Sequence, residues 1–272
     1  MKYLEVFSTK KFLSIITITK NDLGFPATLS SVQKQKLGNI SIEHIIVDSL
    51  SKDNTPDIVA KYQKSAKYPV TYIREADTGR YQGMNKGIKA ATGEYLLFLN
   101  ASDTLHTDTL SKVFSTLHTA DILYGDTMMV ESPNKSEKWS LKDFSVNKKF
   151  FIERTLFHQS TFIKKELFDK YGLYDETLKI VGDFEFFIRT IIKHHATLEY
   201  LPMVISDYDT HGISSYMSDS FLAERASVIM RHYIGVDFIY HFLKYLYYNN
   251  KHLLPSTIVH LQQKRLAAKP KI

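Results

Sequence analysis

Apolar and polar positions follow two rhythms along this chain. Phe12-Leu13-Ser14-Ile15-Ile16-Thr17-Ile18-Thr19 is β-branched and apolar, the pattern of a buried strand. Pro26 then falls in the first turn of a helix whose apolar positions are Leu29, Val32 and Leu37. A second strand is predicted over Glu43–Asp48. Asn54-Thr55-Pro56-Asp57 opens the next helix with a cap residue and a first-turn proline. Pro69–Arg74 reads as a third strand, and Tyr81–Ala91 as a helix stopped at Gly93. Glu94–Asn100 is the most apolar strand and is expected near the centre of a sheet. Strand and helix alternating in this way specify an α/β sheet.

Beyond about residue 120 the rhythm loosens. Asp121–Val130 and Thr161–Lys164 read as strands, Gly182–His194 as a helix with Phe186, Phe187 and Ile191 inward, and Leu198–Ile205 as extended. From Phe221 to Ala268 the pattern is helical and amphipathic, interrupted near Gly235 and Pro255. The expected organisation is a catalytic domain over 1–218, with one half over about 1–120 and another over about 121–218. A helical extension over 219–272 would follow.

Composition narrows the chemistry. At 272 residues and 44% hydrophobic the chain can bury a sizeable core. With no cysteine it has no disulfide, thiolate nucleophile or cysteine-held metal centre. Glu5, Lys10 and Lys11 break up the start as a signal peptide, and no run of about 18 apolar residues exists to cross a bilayer. A cytoplasmic protein is the expectation, with the cytoplasmic face of the inner membrane as a second location. The net charge is +6 and the pI about 9.1. From His232 onward six Lys and Arg face one Asp, so the excess is concentrated in the tail. No nucleic-acid recognition motif accompanies it, and no nucleic-acid partner is expected. The tail aromatics Tyr233, Phe238, Tyr240, Phe242, Tyr245, Tyr247 and Tyr248 alternate with His and Lys, which suits a peripheral membrane contact. A helix packed on the catalytic domain, or a dimer contact, fits the same pattern.

In an open α/β sheet, ligands collect beyond the carboxyl ends of the strands. Thr17, Thr19 and Asn21 lie there on the first strand and Asp48 on the second. Arg74, Glu75 and Asp77 follow the third, and Asn100 and Asp103 the fourth. Any one of these is a common turn or cap residue. Their convergence over four strands points to a site for a base, a ribose and a pyrophosphate.

Ser14-Ile15-Ile16-Thr17 with Asn21, Ile45-Ile46-Val47-Asp48 and the block from Asp77-Thr78-Gly79-Arg80-Tyr81-Gln82-Gly83-Met84-Asn85-Lys86-Gly87 to Asn100-Ala101-Ser102-Asp103 resemble family 2 glycosyltransferases. His158-Gln159-Ser160 and Gly182-Asp183-Phe184-Glu185 fall where that family has its acceptor-side motifs, so the resemblance covers roughly residues 12 to 215. It is closest to the branch building bacterial capsule, exopolysaccharide and lipopolysaccharide chains. The resemblance implies a GT-A-type, Rossmann-like fold. It also implies a nucleotide-diphospho-sugar donor, with UDP the first choice, Mg²⁺ or Mn²⁺, and a glycan or lipid-linked glycan acceptor.

By the same resemblance, Thr17 and Asn21 contact the nucleotide and Asp48 hydrogen-bonds the base. Asp77, Asn85 and Asn100 line the donor, Asp103 is the metal ligand and Asp183 the general base of an inverting transfer. His211, before Gly212-Ile213-Ser214, either joins the metal shell or the diphosphate or is an ordinary loop histidine. Asp183 read alone would also fit a helix-start carboxylate, and His158 either lines the acceptor cleft or is a buried hydrogen-bonded group. Glu185 and Arg189, four apart, can pair on one helix face. The sequence departs from the family pattern in keeping one carboxylate in Asn100-Ala101-Ser102-Asp103, in Gln82 where relatives often have Asp, and in Ser49-Leu50 after Asp48. The alternatives are a catalytically degenerate nucleotide-sugar-binding protein and a nucleotidyltransferase-type enzyme. Against the latter, Thr19-Lys20-Asn21-Asp22-Leu23 lacks its glycine-rich basic loop.

Overall fold

The computed structural model describes residues 12–212 and 218–233. The chain divides into two compact units, residues 1–212 and 213–272. The first is built on a single nine-stranded sheet.

Strands β1 (Phe12–Thr19), β2 (Ser41–Asp48), β3 (Val70–Arg74) and β4 (Tyr95–Phe98) form its parallel half, in the spatial order β3-β2-β1-β4. Helices α1 (Phe25–Gln33), α2 (Thr55–Ser65) and α3 (Arg80–Ala90) connect them. Chain order runs outward from β1 to β2 and β3, then returns to place β4 on the other flank. That reversal opens a crevice at the carboxyl ends of β1 and β4. The strands are apolar on both faces because both are covered. Leu13, Ile15, Leu97 and Leu99 join one core cluster, with Leu123 and Phe162. Phe25, Leu29, Ile46, Val59 and Tyr62 form another. A Cβ on Gly87 would come within 2.4 Å of Ile16 Cγ2, so glycine there lets α3 lie directly on β1.

The second half is mixed. After β5 (Thr104–Leu105) and α4 (Thr109–Val113) come β6 (Ile122–Ser132), β7 (Lys135–Trp139) and α5 (Lys148–Glu153). Then follow β8 (Thr161–Lys164), α6 (Lys165–Tyr171), α7 (Gly182–Phe187) and β9 (Leu198–Asp209). β8 lies between β4 and β6 and runs antiparallel to both, while β9 runs parallel to β6 and antiparallel to β5.

Several elements differ from the pattern-based expectation. α1 ends at Gln33, so Leu37 packs on the core from the loop beyond it. The expected helix over Gly182–His194 is α-helical only to Phe187 and continues as a wider π-type stretch over Ile188–Lys193. β9 runs four residues past Ile205 to Asp209, and β6 turns into the hairpin strand β7. In the second unit, α8 (Asp219–His232) is capped by Ser218 Oγ, which accepts the Phe221 N–H at 3.2 Å. The aromatic-basic pattern beyond Tyr233 lies outside the described residues. Among the described residues no helix is long and apolar enough to cross a membrane.

Candidate active site

The base-side residues of the first half are occupied with holding the sheet together. Thr17 is fully buried; its hydroxyl donates to the Leu99 carbonyl at 2.7 Å and contacts His44 Nε2 at 2.8 Å. His44 Nδ1 in turn meets the Tyr62 hydroxyl at 2.8 Å, and burial pushes the His44 pKa down to about 3. Thr17 therefore ties β1 to β2 and to the residue after β4, and its hydroxyl is engaged within the fold. Asp48 is also fully buried. Its Oδ1 accepts the Ser51 N–H at 2.8 Å and its Oδ2 the Tyr72 hydroxyl at 2.7 Å, with Arg74 Nε at 3.3 Å. Burial, reinforced by Asp48, holds the Tyr72 phenol well above its usual pKa. The Asp48 carboxylate is thus spoken for, and the half-exposed Arg74 guanidinium stands over it. Asn21, with φ 48°, accepts the Lys52 N–H at 2.6 Å, and its own N–H donates to Ser51 Oγ. It joins the loop after β1 to the loop after β2.

On α3 the sequence expectation divides. Asp77 is half-buried at the helix start, where a Cβ on Gly83 would sit 3.3 Å from Asp77 Oδ2. Asn85 is instead a clamp. Its Nδ2 donates to the Tyr174 carbonyl and Glu176 Oε1, and its Oδ1 accepts the Tyr174 N–H. It is 2% exposed, and both amide atoms are used within the fold. Gln82 Nε2 donates to the other Glu176 oxygen at 3.1 Å, which explains an amide where relatives often carry an acid.

The turn after β4 carries the acid-side residues. Asp103 is 5% exposed, and its Oδ1 accepts the Asp209 N–H at 3.1 Å. Burial pushes its pKa well above the usual carboxylate range, and the Asp209 and Asp22 charges push the same way; the Asp209 N–H and Arg80 oppose them. His211 is exposed, with Nδ1 2.6 Å from Asp209 Oδ1. Asp103 and His211 are therefore joined through Asp209, but the described residues hold no group of three or more His, Asp or Glu set to grip a metal.

Asp183 is where the two halves meet. It opens α7, and its Oδ2 lies 3.0 Å from His158 Nδ1 while its Oδ1 accepts the Tyr81 hydroxyl at 3.0 Å. On the far side of the ring, His158 Nε2 is 3.0 Å from Asn100 Nδ2. A neutral imidazole donating from Nδ1 to Asp183 leaves Nε2 as an acceptor, which the Asn100 amide fills. Burial alone would raise the Asp183 pKa. His158, Tyr81 and the Phe184 N–H outweigh it and hold the carboxyl below its usual value. The remaining amide oxygen, Asn100 Oδ1, is buried without a partner. Glu185 takes no part; its carboxylate pairs with Arg189 through both oxygens. Tyr81 stood in the motif after Asp77 without a role of its own, and Asp209 was not singled out. His158 stood in a recognisable motif, but its partners lie 58 and 25 residues away.

Comparison with known proteins agrees with this architecture. The family model for Glycosyl transferase family 2 matches residues 14–173. A "PGL/p-HBAD biosynthesis glycosyltransferase" of Mycobacterium bovis is 30% identical, over 80% of this chain and 85% of that protein. An uncharacterized glycosyltransferase of Mycobacterium tuberculosis is 31% identical, over 76% of this chain and 79% of its own length. Among solved structures, S. aureus TarS 1-349 in complex with UDP-GlcNAc superposes with a TM-score of 0.65 at 21% identity, covering 89% of this chain and 72% of that one. The mannosyltransferase PcManGT from Pyrobaculum calidifontis, in complex with GDP-Man and Mn²⁺, gives 0.58 at 17% identity, covering 95% and 76%. The fold is the mixed α/β, Rossmann-like GT-A architecture. The chain belongs to glycosyl transferase family 2.

Proposed function

We propose that this protein transfers a sugar from a nucleotide-diphospho-sugar to a hydroxyl of a glycan or lipid-linked glycan, with inversion, in the synthesis of a cell-surface glycan. The observation that carries the reading is the hydrogen-bonded chain Asn100–His158–Asp183. It joins the turn at the carboxyl end of β4 to a half-buried carboxylate from the second half of the fold. The biosynthetic role named for the mycobacterial relatives supports a glycosylated surface product.

Asp183 is the base. His158 and Tyr81 each occupy one lone-pair direction of its two oxygens and keep it ionised, while a further lone pair is available to an acceptor hydroxyl. As the acceptor oxygen bonds to the anomeric carbon, its proton passes to the Asp183 carboxylate. The nucleotide diphosphate departs from the opposite face with the bonding electron pair. No covalent link to the protein is needed.

The residues present fit a hard divalent cation at the diphosphate. The Asp103 carboxylate is buried against two other acids, and Asn100 Oδ1 lacks a partner, as oxygen donors awaiting a positive charge would be. Asp103 would hold Mg²⁺ or Mn²⁺, with His211 at the rim; when bound, the cation offsets the negative charge on the leaving diphosphate. Asp77 lines the donor at the start of α3.

The test is hydrolysis of a panel of UDP-, GDP- and dTDP-sugars with and without Mn²⁺, with water standing in for the acceptor. Metal-stimulated release of one nucleotide is the expected result. Absence of both release and binding, for every nucleotide in the panel, would reject the reading.

A further inference from the structure

A row of aromatic rings leads away from the Asp183 site. Tyr208, beside Asp209, tilts against Phe157 with ring centroids 5.6 Å apart and planes at 44°. Phe157, beside His158, meets Trp139 edge to face at 6.1 Å and 83°. At the outer end the Arg154 guanidinium carbon lies 5.1 Å from the Trp139 ring centre and 4.2 Å from that of Phe144. Exposure rises along the row, from buried Tyr208 through half-buried Phe157 and Trp139 to exposed Phe144.

Strand register explains the alignment. Trp139 on β7 is opposite Thr127 on β6, which is opposite Ser206 on β9, so the three share one face of the sheet, with Tyr208 two positions along. The Thr127 hydroxyl donates to Ser160 Oγ, which contacts Ser206 Oγ, so this is the face that carries the His158–Ser160 turn. The row is thus fixed to the same turn that presents His158 to Asp183. The Trp139 indole N–H is buried without a partner, which packing alone does not call for.

We propose that Trp139 and Phe157 form the wall of an acceptor subsite that receives the apolar face of a sugar ring, a placement that rests on the glycosyltransferase reading. A chair-form pyranose carries several C–H bonds on one face, polarised by the ring and hydroxyl oxygens, and these fit against electron-rich aromatic faces. The rings here are steeply inclined to one another, making a corrugated wall. Inclined rings accept an apolar sugar face or a flat arene alike; the place beside His158, and with it the glycosyltransferase reading, favours the sugar. Phe157 and His158 are consecutive, so a sugar held on this wall sits beside the residue that orients the base. The ring contacted would be the one whose hydroxyl is glycosylated, or its immediate neighbour in the acceptor chain.

Trp139 is the only tryptophan in the chain, so its emission reports this wall alone. The experiment titrates the full protein, with and without saturating UDP, with methyl glycosides of glucose, galactose, mannose, rhamnose and N-acetylglucosamine, and with phenol as the flat-arene control. A saturable emission change with at least one glycoside and none with phenol is the expected result. Phe157→Ala should weaken that glycoside about tenfold while UDP affinity stays unchanged. Absence of a saturable response to every glycoside, in both nucleotide states, overturns the subsite. A phenol response equal to that of the glycosides overturns the choice of a sugar ring in favour of an aromatic group. Failure of UDP and the other nucleotides to bind, with the glycoside response intact, counts against the transferase reading and leaves the wall standing.

Discussion

His158 Nδ1 lies 3.0 Å from Asp183 Oδ2, and the opposite nitrogen of the same ring lies 3.0 Å from the Asn100 amide. One imidazole therefore spans from the β4 turn to the start of α7 and fixes the carboxylate relative to that turn. His158 acts here as a positioning residue. His158→Gln, which retains an amide able to reach one of the two partners, should reduce kcat by about 10-fold to 100-fold. KM for the donor should change little. His158→Phe should be worse in kcat with the same donor affinity. Loss of donor binding in either variant would show that the ring contacts the nucleotide instead.

Asn85 gives a contrasting expectation. Its three hydrogen bonds go to Tyr174 and Glu176, so Asn85→Ala leaves buried polar groups unpaired on the loop they hold. A stability loss of about 1–3 kcal/mol in urea unfolding is predicted, with UDP affinity unchanged at temperatures where the variant is folded. A variant of normal stability with weakened UDP binding would restore Asn85 to the donor site.

His44 predicts a pH effect on stability. Its folded pKa is about 3 against an ordinary 6.5. The unfolded chain therefore binds a proton that the folded chain refuses, and stability falls as the pH drops from 6.5 toward 3. Between pH 7 and pH 5 the His44 contribution is a loss of about 2 kcal/mol. Unfolding curves across this range should be flatter for His44→Gln, which has nothing to titrate. Parallel curves would place the acid sensitivity elsewhere.

The divergence between Asn85 and Asp183 shows what sequence could and could not convey. The parallel half was legible because β1, β2 and β4 are apolar runs and α2 carries a first-turn proline, local signals that tertiary contacts did not override; Asn54, expected as its cap, makes no side-chain cap hydrogen bond. The second half was less so. The β6–β7 hairpin turns through Pro133 and Asn134, and its strand Lys135–Trp139 is exposed along most of its length, so it lacks an apolar alternation. The α7 helix widens to π geometry where Thr190 Oγ1 donates back to the Phe186 carbonyl, a competition invisible to periodicity. At the site, resemblance named segments but not what each side chain touches. Thr17, Asp48 and Asn85 are polar residues in functional motifs whose groups are consumed within the fold. Which polar residue faces a ligand depends on long-range partners such as Leu99, Tyr72 and Glu176, and no local pattern encodes them.

Asp103 supplies the metal prediction. EDTA should abolish donor hydrolysis and added Mn²⁺ should restore it. Asp103→Asn should lower the Mn²⁺-supported rate by about 100-fold to 1,000-fold. Hydrolysis that is fast in EDTA, and indifferent to Asp103→Asn, would remove the metal from the account.

The most direct test is to compare wild type and Asp183→Asn for nucleotide release and UDP affinity in the presence of Mn²⁺. Asparagine keeps an oxygen for Tyr81 but cannot take a proton. The account predicts a fall in turnover of about 100-fold to 10,000-fold with UDP affinity unchanged. Turnover near wild type, or a loss of UDP binding in parallel with activity, would contradict Asp183 as the base at a site the two halves build together.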